Sequence, residues 1–157
     1  MAYIGRVVGI GKTVDENPVL LYGLSGRSAS SRSRIASIHG SRVSIEPYGD
    51  MTPEQFTEAS RLIYDAIMTS AVNTVGVVSN GKQTGSIYRG YLKMHDANNT
   101  ARNATGRALR YWGHEGKVGD RYNTPRIAGM IDVRSNDAAV GIVTAENENS
   151  GPLATGY

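Results

Sequence analysis

The sequence predicts an α+β fold, and three observations carry that prediction. Gly is abundant, at 19 of 157 residues, and hydrophobic residues make up only 39%. Strand-like alternation occupies both ends of the chain, with helical spacing between them. So many glycines suit a strand-rich protein with tight turns better than a helical bundle, and strands, then helices, then strands again is the order of an α+β domain. A chain of this length suits one domain, spanning 1–157, that buries about 70% of the surface an extended chain exposes.

Residues Tyr3 to Gly11 carry the β-branched and aromatic residues of a strand. Asp15-Glu16-Asn17-Pro18 turns the chain, and Val19 to Leu24 returns, making a hairpin. Ser25 to Arg34 is small, polar and basic, and reads as a loop. In Arg42 to Pro47, Val43 and Ile45 alternate with Arg42, Ser44 and Glu46, the period of a half-buried strand.

Thr52-Pro53-Glu54-Gln55 is a capping box with Pro at the first helical position, so a short helix starts there. Leu62 to Met68 either continues it or forms a strand; the strand is preferred, because Val72 to Ser79 then completes a second hairpin. Helical spacing sets in after Gly81. Ile87, Tyr91 and Met94 share a face over Thr84 to Met94, and Ala104, Ala108, Tyr111 and Trp112 over Thr100 to Trp112. Gly113 to Tyr122 is a charged loop. Arg126 to Val133 and Ala138 to Thr144 form a last hairpin turned at Ser135-Asn136-Asp137, and 146–157 reads as a loose tail.

Seventeen basic against 14 acidic residues give a net charge of +3, too mild to indicate a nucleic-acid polymer. Arg27, Arg32, Arg34 and Arg42 instead concentrate charge in one stretch, which suits a pocket for a single phosphorylated small molecule. The absence of Cys excludes disulfides, cysteine-ligated zinc, Fe–S clusters and thiol chemistry. His39, His95 and His114 show no metal-ligand spacing. The first residues are too glycine-broken for a signal peptide or a membrane span, so the expected location is the cytoplasm. Gly9-Ile10-Gly11-Lys12 lacks the rest of a dinucleotide or Walker fingerprint and reads as a glycine-bearing strand end.

Five segments in order carry a resemblance: Tyr3-Ile4-Gly5-Arg6; Gly26-Arg27-Ser28 with Arg32; Val77-Val78-Ser79-Asn80-Gly81 with Thr84; Asn123-Thr124-Pro125-Arg126-Ile127-Ala128; and Gly141-Ile142-Val143-Thr144-Ala145. Together they resemble the archaeal-type IMP cyclohydrolase family. The resemblance implies a four-layer αββα sandwich of antiparallel sheets, similar to N-terminal nucleophile hydrolases. It also implies a cyclohydrolase that closes the 5-formamidoimidazole-4-carboxamide ribonucleotide to IMP with loss of water, in purine biosynthesis. Met1-Ala2 offers no N-terminal nucleophile, so hydrolysis of that kind is not expected.

The reaction is intramolecular, so positioning, polarisation of the formyl oxygen and proton movement are what remain, and no metal or organic cofactor is expected. Under the resemblance, Arg32 is the catalytic or substrate-holding cation, because a guanidinium presents a fixed fork of donors. Tyr64 donates to the developing oxyanion or shuttles a proton. Glu115 accepts the carboxamide proton, with Asp120 as competitor. Arg27 and Ser28 suit the phosphate, although Arg32 competes for it. Ser79, Asn80 and Gly81 form a turn reaching into the pocket, and Asn123, Thr124 and Arg126 suit purine-edge and ribose contacts. The alternative is a non-catalytic purine-nucleotide-binding or regulatory protein on the same scaffold, favoured by the early stop at Tyr157. Self-association into a homo-oligomer is compatible with so small a strand-rich domain.

Overall fold

Two antiparallel sheets, with two helices packed on one of them, organise the chain. The structure is a computed structural model, and it describes residues 5–26, 32–50, 52–59, 63–93, 99–114, 124–144 and 153–156. In chain order these give β1 (Arg6–Lys12), β2 (Pro18–Leu24), β3 (Arg34–His39), β4 (Arg42–Pro47), α1 (Pro53–Ala59), β5 (Tyr64–Thr69), β6 (Val75–Ser79), α2 (Gln83–Lys93), α3 (Ala101–Trp112), β7 (Arg126–Asp132), β8 (Asp137–Val143) and β9 (Leu153–Gly156). The α+β expectation holds. β1 and β2 form a hairpin, and the other strands form one seven-stranded sheet in sequence order from β3 to β9.

The alternation of side chains decides what covers each face of the large sheet. Val75 and Val77 of β6, and Ala128 and Met130 of β7, join Ile87 and Tyr91 of α2 and Ala104, Ala108 and Leu109 of α3 in one core cluster. The residues between them, Gly76 and Gly129, face the hairpin. A Cβ on Gly76 would lie 2.7 Å from Leu20 Cδ1, and one on Gly129 would lie 2.7 Å from Ile10 Cγ2. Glycine is needed at both positions because the hairpin side chains occupy the space a methyl group would take. A smaller cluster of Ile45, Tyr64 and Ala66, with Tyr22 and Leu24 against it, continues the contact at the β4–β5 side.

The Pro53 start of α1 and the turn at Asn136 are as read from the sequence, and the caps of α3 add to them. Pro53 opens α1. In α3, Thr100 is the N-cap and its side chain accepts from the Asn103 N–H, while Gly113, with φ of 60°, closes the helix by donating to the Leu109 carbonyl. Asn136 holds φ of 51° in the β7–β8 turn, a conformation that Asn tolerates better than most residues.

Other features differ. β3 lies where the loop was expected to give way to an unassigned stretch. It pairs with β4 from Arg34↔Pro47 to His39↔Arg42. β6 begins at Val75 and not at Val72, which is 75% exposed. The Ser70 hydroxyl accepts from the Thr74 and Val75 N–H groups, so 71–74 are held in the turn before the strand. Tyr111 was expected on the buried stripe of α3 but is 84% exposed, and Leu109 takes the buried position. The stripe through Ala101, Ala104, Thr105, Ala108 and Leu109 leaves residue 111 on the solvent side. Finally, Leu153–Gly156 is not loose tail: it pairs with β8 from Ile142↔Leu153 to Ala139↔Gly156. The rest of 146–157 lies outside the described residues.

Candidate functional site

The segments that sequence reading singled out meet at one end of the large sheet, where β6 ends, β7 and β5 begin, and β1 and β2 reach over them. β6 ends in the Ser79-Asn80-Gly81 turn that leads into α2, and this turn is closely tied together. The Ser79 and Thr84 hydroxyls are hydrogen-bonded at 2.5 Å, and both lie 3.0 Å from the Gly81 carbonyl, which accepts from whichever of them does not donate to the other. Ser79 and Thr84 are both fully buried, so their hydroxyls hold the turn from within.

Asn80 is the hub. Its Oδ1 accepts from Gln83 Nε2 at 3.0 Å and from the Ile127 N–H at 2.9 Å, and its Nδ2 donates to the Pro125 carbonyl at 2.7 Å. The amide was expected to reach into a pocket; here it ties the β6–α2 turn to the entry of β7. The Asn80 carbonyl in turn accepts from Arg6 Nη1 at 3.2 Å. Beyond Gln83, Arg126 Nη1 donates to Gln83 Oε1 at 3.1 Å, and the Arg126 guanidinium lies 5.4 Å from the centre of the Trp112 ring, within cation–π range. The Trp112 indole donates to Ser86 Oγ at 3.1 Å. A Cβ at Gly81 would fall 2.6 Å from Gln83 Oε1 and 2.8 Å from Arg126 Nη1, so any side chain there would displace the ends of these two.

On the hairpin side, Arg6 also lies over the Tyr64 ring, 5.8 Å from its centroid. The Tyr64 and Tyr22 hydroxyl oxygens are 2.5 Å apart, with their rings edge to face at 6.4 Å and 82°. Tyr64 is the first residue of β5 and pairs with Ile45. Between Val43↔Ile67 and Ser44↔Asp65 the register slips by a residue, a bulge that bends β5 next to this phenol. Burial, together with the neighbouring Tyr64 oxygen, pushes the Tyr22 phenol far above the usual tyrosine range, against the opposing pull of Arg6 and Arg34. A continuous chain of contacts therefore runs from Tyr22 through Tyr64, Arg6, Asn80, Gln83 and Arg126 to Trp112.

Of the sequence-predicted site residues, Tyr64, Asn80 and Arg126 lie in this chain, and Ser79 and Gly81 support it from the turn. Thr124 is half-buried just before β7. Arg32 is described and exposed, preceding β3, while Arg27, Ser28, Glu115 and Asn123, with the competitor Asp120, lie outside the described residues. Arg6 entered the sequence reading only as part of an opening motif. Arg34 entered it only as part of the basic stretch and Trp112 only as a helix-face residue, while Tyr22 and Gln83 were given no role there, although the inward register of Tyr22 beside Leu20 and Leu24 was a usable signal. Among the described residues no group of three or more His, Asp or Glu side chains is placed to hold a metal.

A groove of about 640 Å³ at the opposite end of the sheet is lined by Ile10, Lys12, Ile131, Val133, Ala138 and Val140. None of the predicted site residues borders it. The polar groups that converge do so around Asn80, and that convergence locates the candidate site.

A family model described as IMP cyclohydrolase-like protein matches residues 3–154. The chain belongs to the IMP cyclohydrolase-like protein family. Comparison with curated proteins gives no match. The matched span takes in every residue of the Asn80 network, from Arg6 to Arg126, so family membership and the convergence of side chains concern the same region. No helix among the described residues is long and apolar enough to cross a membrane.

Proposed function

We propose that this protein is a cofactor-independent cyclohydrolase of the cytoplasm that closes the 5-formamidoimidazole-4-carboxamide ribonucleotide to IMP and water. The observation that carries the proposal is the single network joining Tyr64, Asn80 and Arg126, residues far apart in sequence, inside a chain of the IMP cyclohydrolase-like family.

In this reading the carboxamide nitrogen attacks the formyl carbon and forms the new C–N bond. The nitrogen gives a proton to a base, the role proposed for Glu115. The formyl oxygen takes a proton and becomes the hydroxyl of a carbinolamine, with the Tyr64 phenol as donor. The hydroxyl then leaves as water while the former formamido nitrogen loses its proton, which gives the C=N bond of the purine. Arg32 holds the substrate or the developing charge, Arg27 and Ser28 take the phosphate, and Asn123, Thr124 and Arg126 contact ribose and base. Preorganised donors aimed at developing negative charge are the largest resource available to such a site. The full αββα layering belongs to the same proposal.

The test supplies the formamido ribonucleotide and follows ring closure by absorbance, alongside direct binding of IMP. Conversion supports the reading, and its loss in Arg32→Ala with IMP affinity retained gives Arg32 a transition-state role. Binding of IMP without conversion by folded protein makes the chain a nucleotide-binding module instead.

A further inference from the structure

Resting on the cyclohydrolase reading, in which Arg126 contacts the nucleotide, we propose that Gln83 and Ser86 of α2 are positioning residues for Arg126. Together they hold its guanidinium by one edge and one face, and so set how it meets the substrate. The two residues stand three apart and share one side of the helix. Gln83 takes the edge, accepting from Arg126 Nη1 at 3.1 Å. Ser86 acts on the face through Trp112 of α3. Its hydroxyl accepts from the indole N–H at 3.1 Å, and the Arg126 guanidinium carbon lies 5.4 Å from the centre of that ring.

Every bond in this clamp has its direction fixed by a group that can act in one way only. The Asn80 amide lies between two backbone groups: the Ile127 N–H donates to its oxygen, and the Pro125 carbonyl accepts from its nitrogen. Asn80 therefore presents Oδ1 to Gln83, which answers with Nε2 at 3.0 Å. The Ile127 carbonyl, 3.5 Å away, is a second acceptor for the same nitrogen. Gln83 Oε1 is thereby turned to Arg126, a side chain with donors and no acceptor. The indole N–H is also a donor only, so Ser86 accepts. Rotating either amide would set donor against donor and acceptor against acceptor.

Burial makes the arrangement stiff. Gln83 is fully buried and Asn80 is 3% exposed, so an amide that left its partners would leave them unsatisfied, a costly state inside a protein. Arg126 and Trp112 are half-buried, at the outer side of the clamp. The acceptor that Gln83 offers is a neutral amide oxygen, which holds the guanidinium in place without cancelling its charge as a carboxylate would. A fork of donors held in this way loses less freedom when the nucleotide binds.

The experiment reads the clamp first and its use second. Trp112 is the one Trp of the sequence, so tryptophan emission reports on it alone. Arg126→Ala gives the emission of the indole without its cation. Gln83→Leu, which fills similar space with no acceptor, is expected to shift emission towards that value. Gln83→Glu keeps an oxygen on Arg126 and is expected to stay near wild type. Wild-type emission in Gln83→Leu overturns the proposal. Where that variant does not fold, Gln83→Glu emission equal to that of Arg126→Ala overturns it instead. IMP affinity then gives a double-mutant cycle. In the wild-type background Gln83→Leu is expected to weaken IMP by about 10-fold and Ser86→Ala by about 3-fold. With Arg126 already replaced by Ala, each is expected to cost less than about twofold. Losses of equal size in both backgrounds overturn the proposal, because the α2 residues then act on the pocket without Arg126. A wild type that neither binds IMP nor closes the ring sinks the cyclohydrolase reading, and emission alone then decides whether α2 holds Arg126.

Discussion

The large sheet carries a buried polar network at each end, and the two are built differently. At the end where β7 finishes, Asp132 is 2% exposed and accepts from the Tyr91 hydroxyl at 2.9 Å, from the Arg134 N–H at 2.9 Å, and from Arg134 Nε and Nη2 at 3.0 and 2.6 Å. A negative group is met by a positive one two residues away, and the Arg134 bond holds the Asp132 carboxyl below the usual carboxylate range. At the other end Asn80 is the hub, and the bonds around it run through amides, phenols, backbone carbonyls and guanidiniums. The first network is a local charge pair that closes a turn. The second draws on β1, β2, β5, β6, β7, α2 and α3 together. One end is organised to hold the sheet, the other to present groups.

That contrast can be tested by asking which variants cost rate and which cost stability. Tyr64→Phe carries the largest expected effect: about 100- to 1,000-fold in kcat, as for loss of an oxyanion donor, with a melting temperature close to wild type. A large fall in melting temperature would instead make Tyr64 chiefly a packing residue. Asp132→Ala should do the reverse. It strands the Tyr91 hydroxyl and is expected to cost about 2 kcal/mol in urea unfolding, discounted because Arg134 is largely solvated, with kcat within about twofold of wild type. Gln83→Ala lies between these cases. Asn80 and Arg126 each lose a partner, so about 1–2 kcal/mol of stability and a several-fold rise in KM are expected together; an unchanged KM would detach Arg126 from the site.

Acid provides a further test of the Asp132 end. The Asp132 carboxyl titrates lower in the folded than in the unfolded chain, so its contribution is complete above the unfolded value of about 4 and is lost as pH falls through the folded one. Asp132→Asn should flatten that part of the stability curve, and an identical acid limb in wild type and variant would count against it. The smallest effect concerns neither network: Thr100→Ala removes the N-cap of α3 and is expected to cost about 1 kcal/mol, measurable by urea unfolding.

What could be read from the sequence follows the range of the interactions. The Pro53 start of α1, the Asn136 turn and the paired strands β7 and β8 rest on neighbours in the chain, and all were readable. The edge strand β3 was missed because Ile35 and Ile38 are both exposed, 44% and 79%, so it shows no consistent buried face; its strand character comes from pairing with β4. β9 has four residues, too few to establish a period. The same division applies to the site. The Ser79-Asn80-Gly81 turn and the Pro125-Arg126 entry are local signatures. Arg6 meets Asn80 across 74 positions and Tyr22 meets Tyr64 across 42, and no local pattern announces such contacts.

The two glycines beneath the hairpin have a consequence for how this chain can vary. Leu20 and Ile10 are seated where a methyl group at Gly76 or Gly129 would stand, and Tyr22 lies about 7 Å further along the strand from Leu20. A side chain gained at 76 or 129 would unseat the hairpin unless a smaller one appeared at 20 or 10 in the same lineage. Positions 76 with 20, and 129 with 10, should therefore be inherited as pairs, and drift in either pair would be recorded in the alignment of the two phenols before it was recorded in the fold.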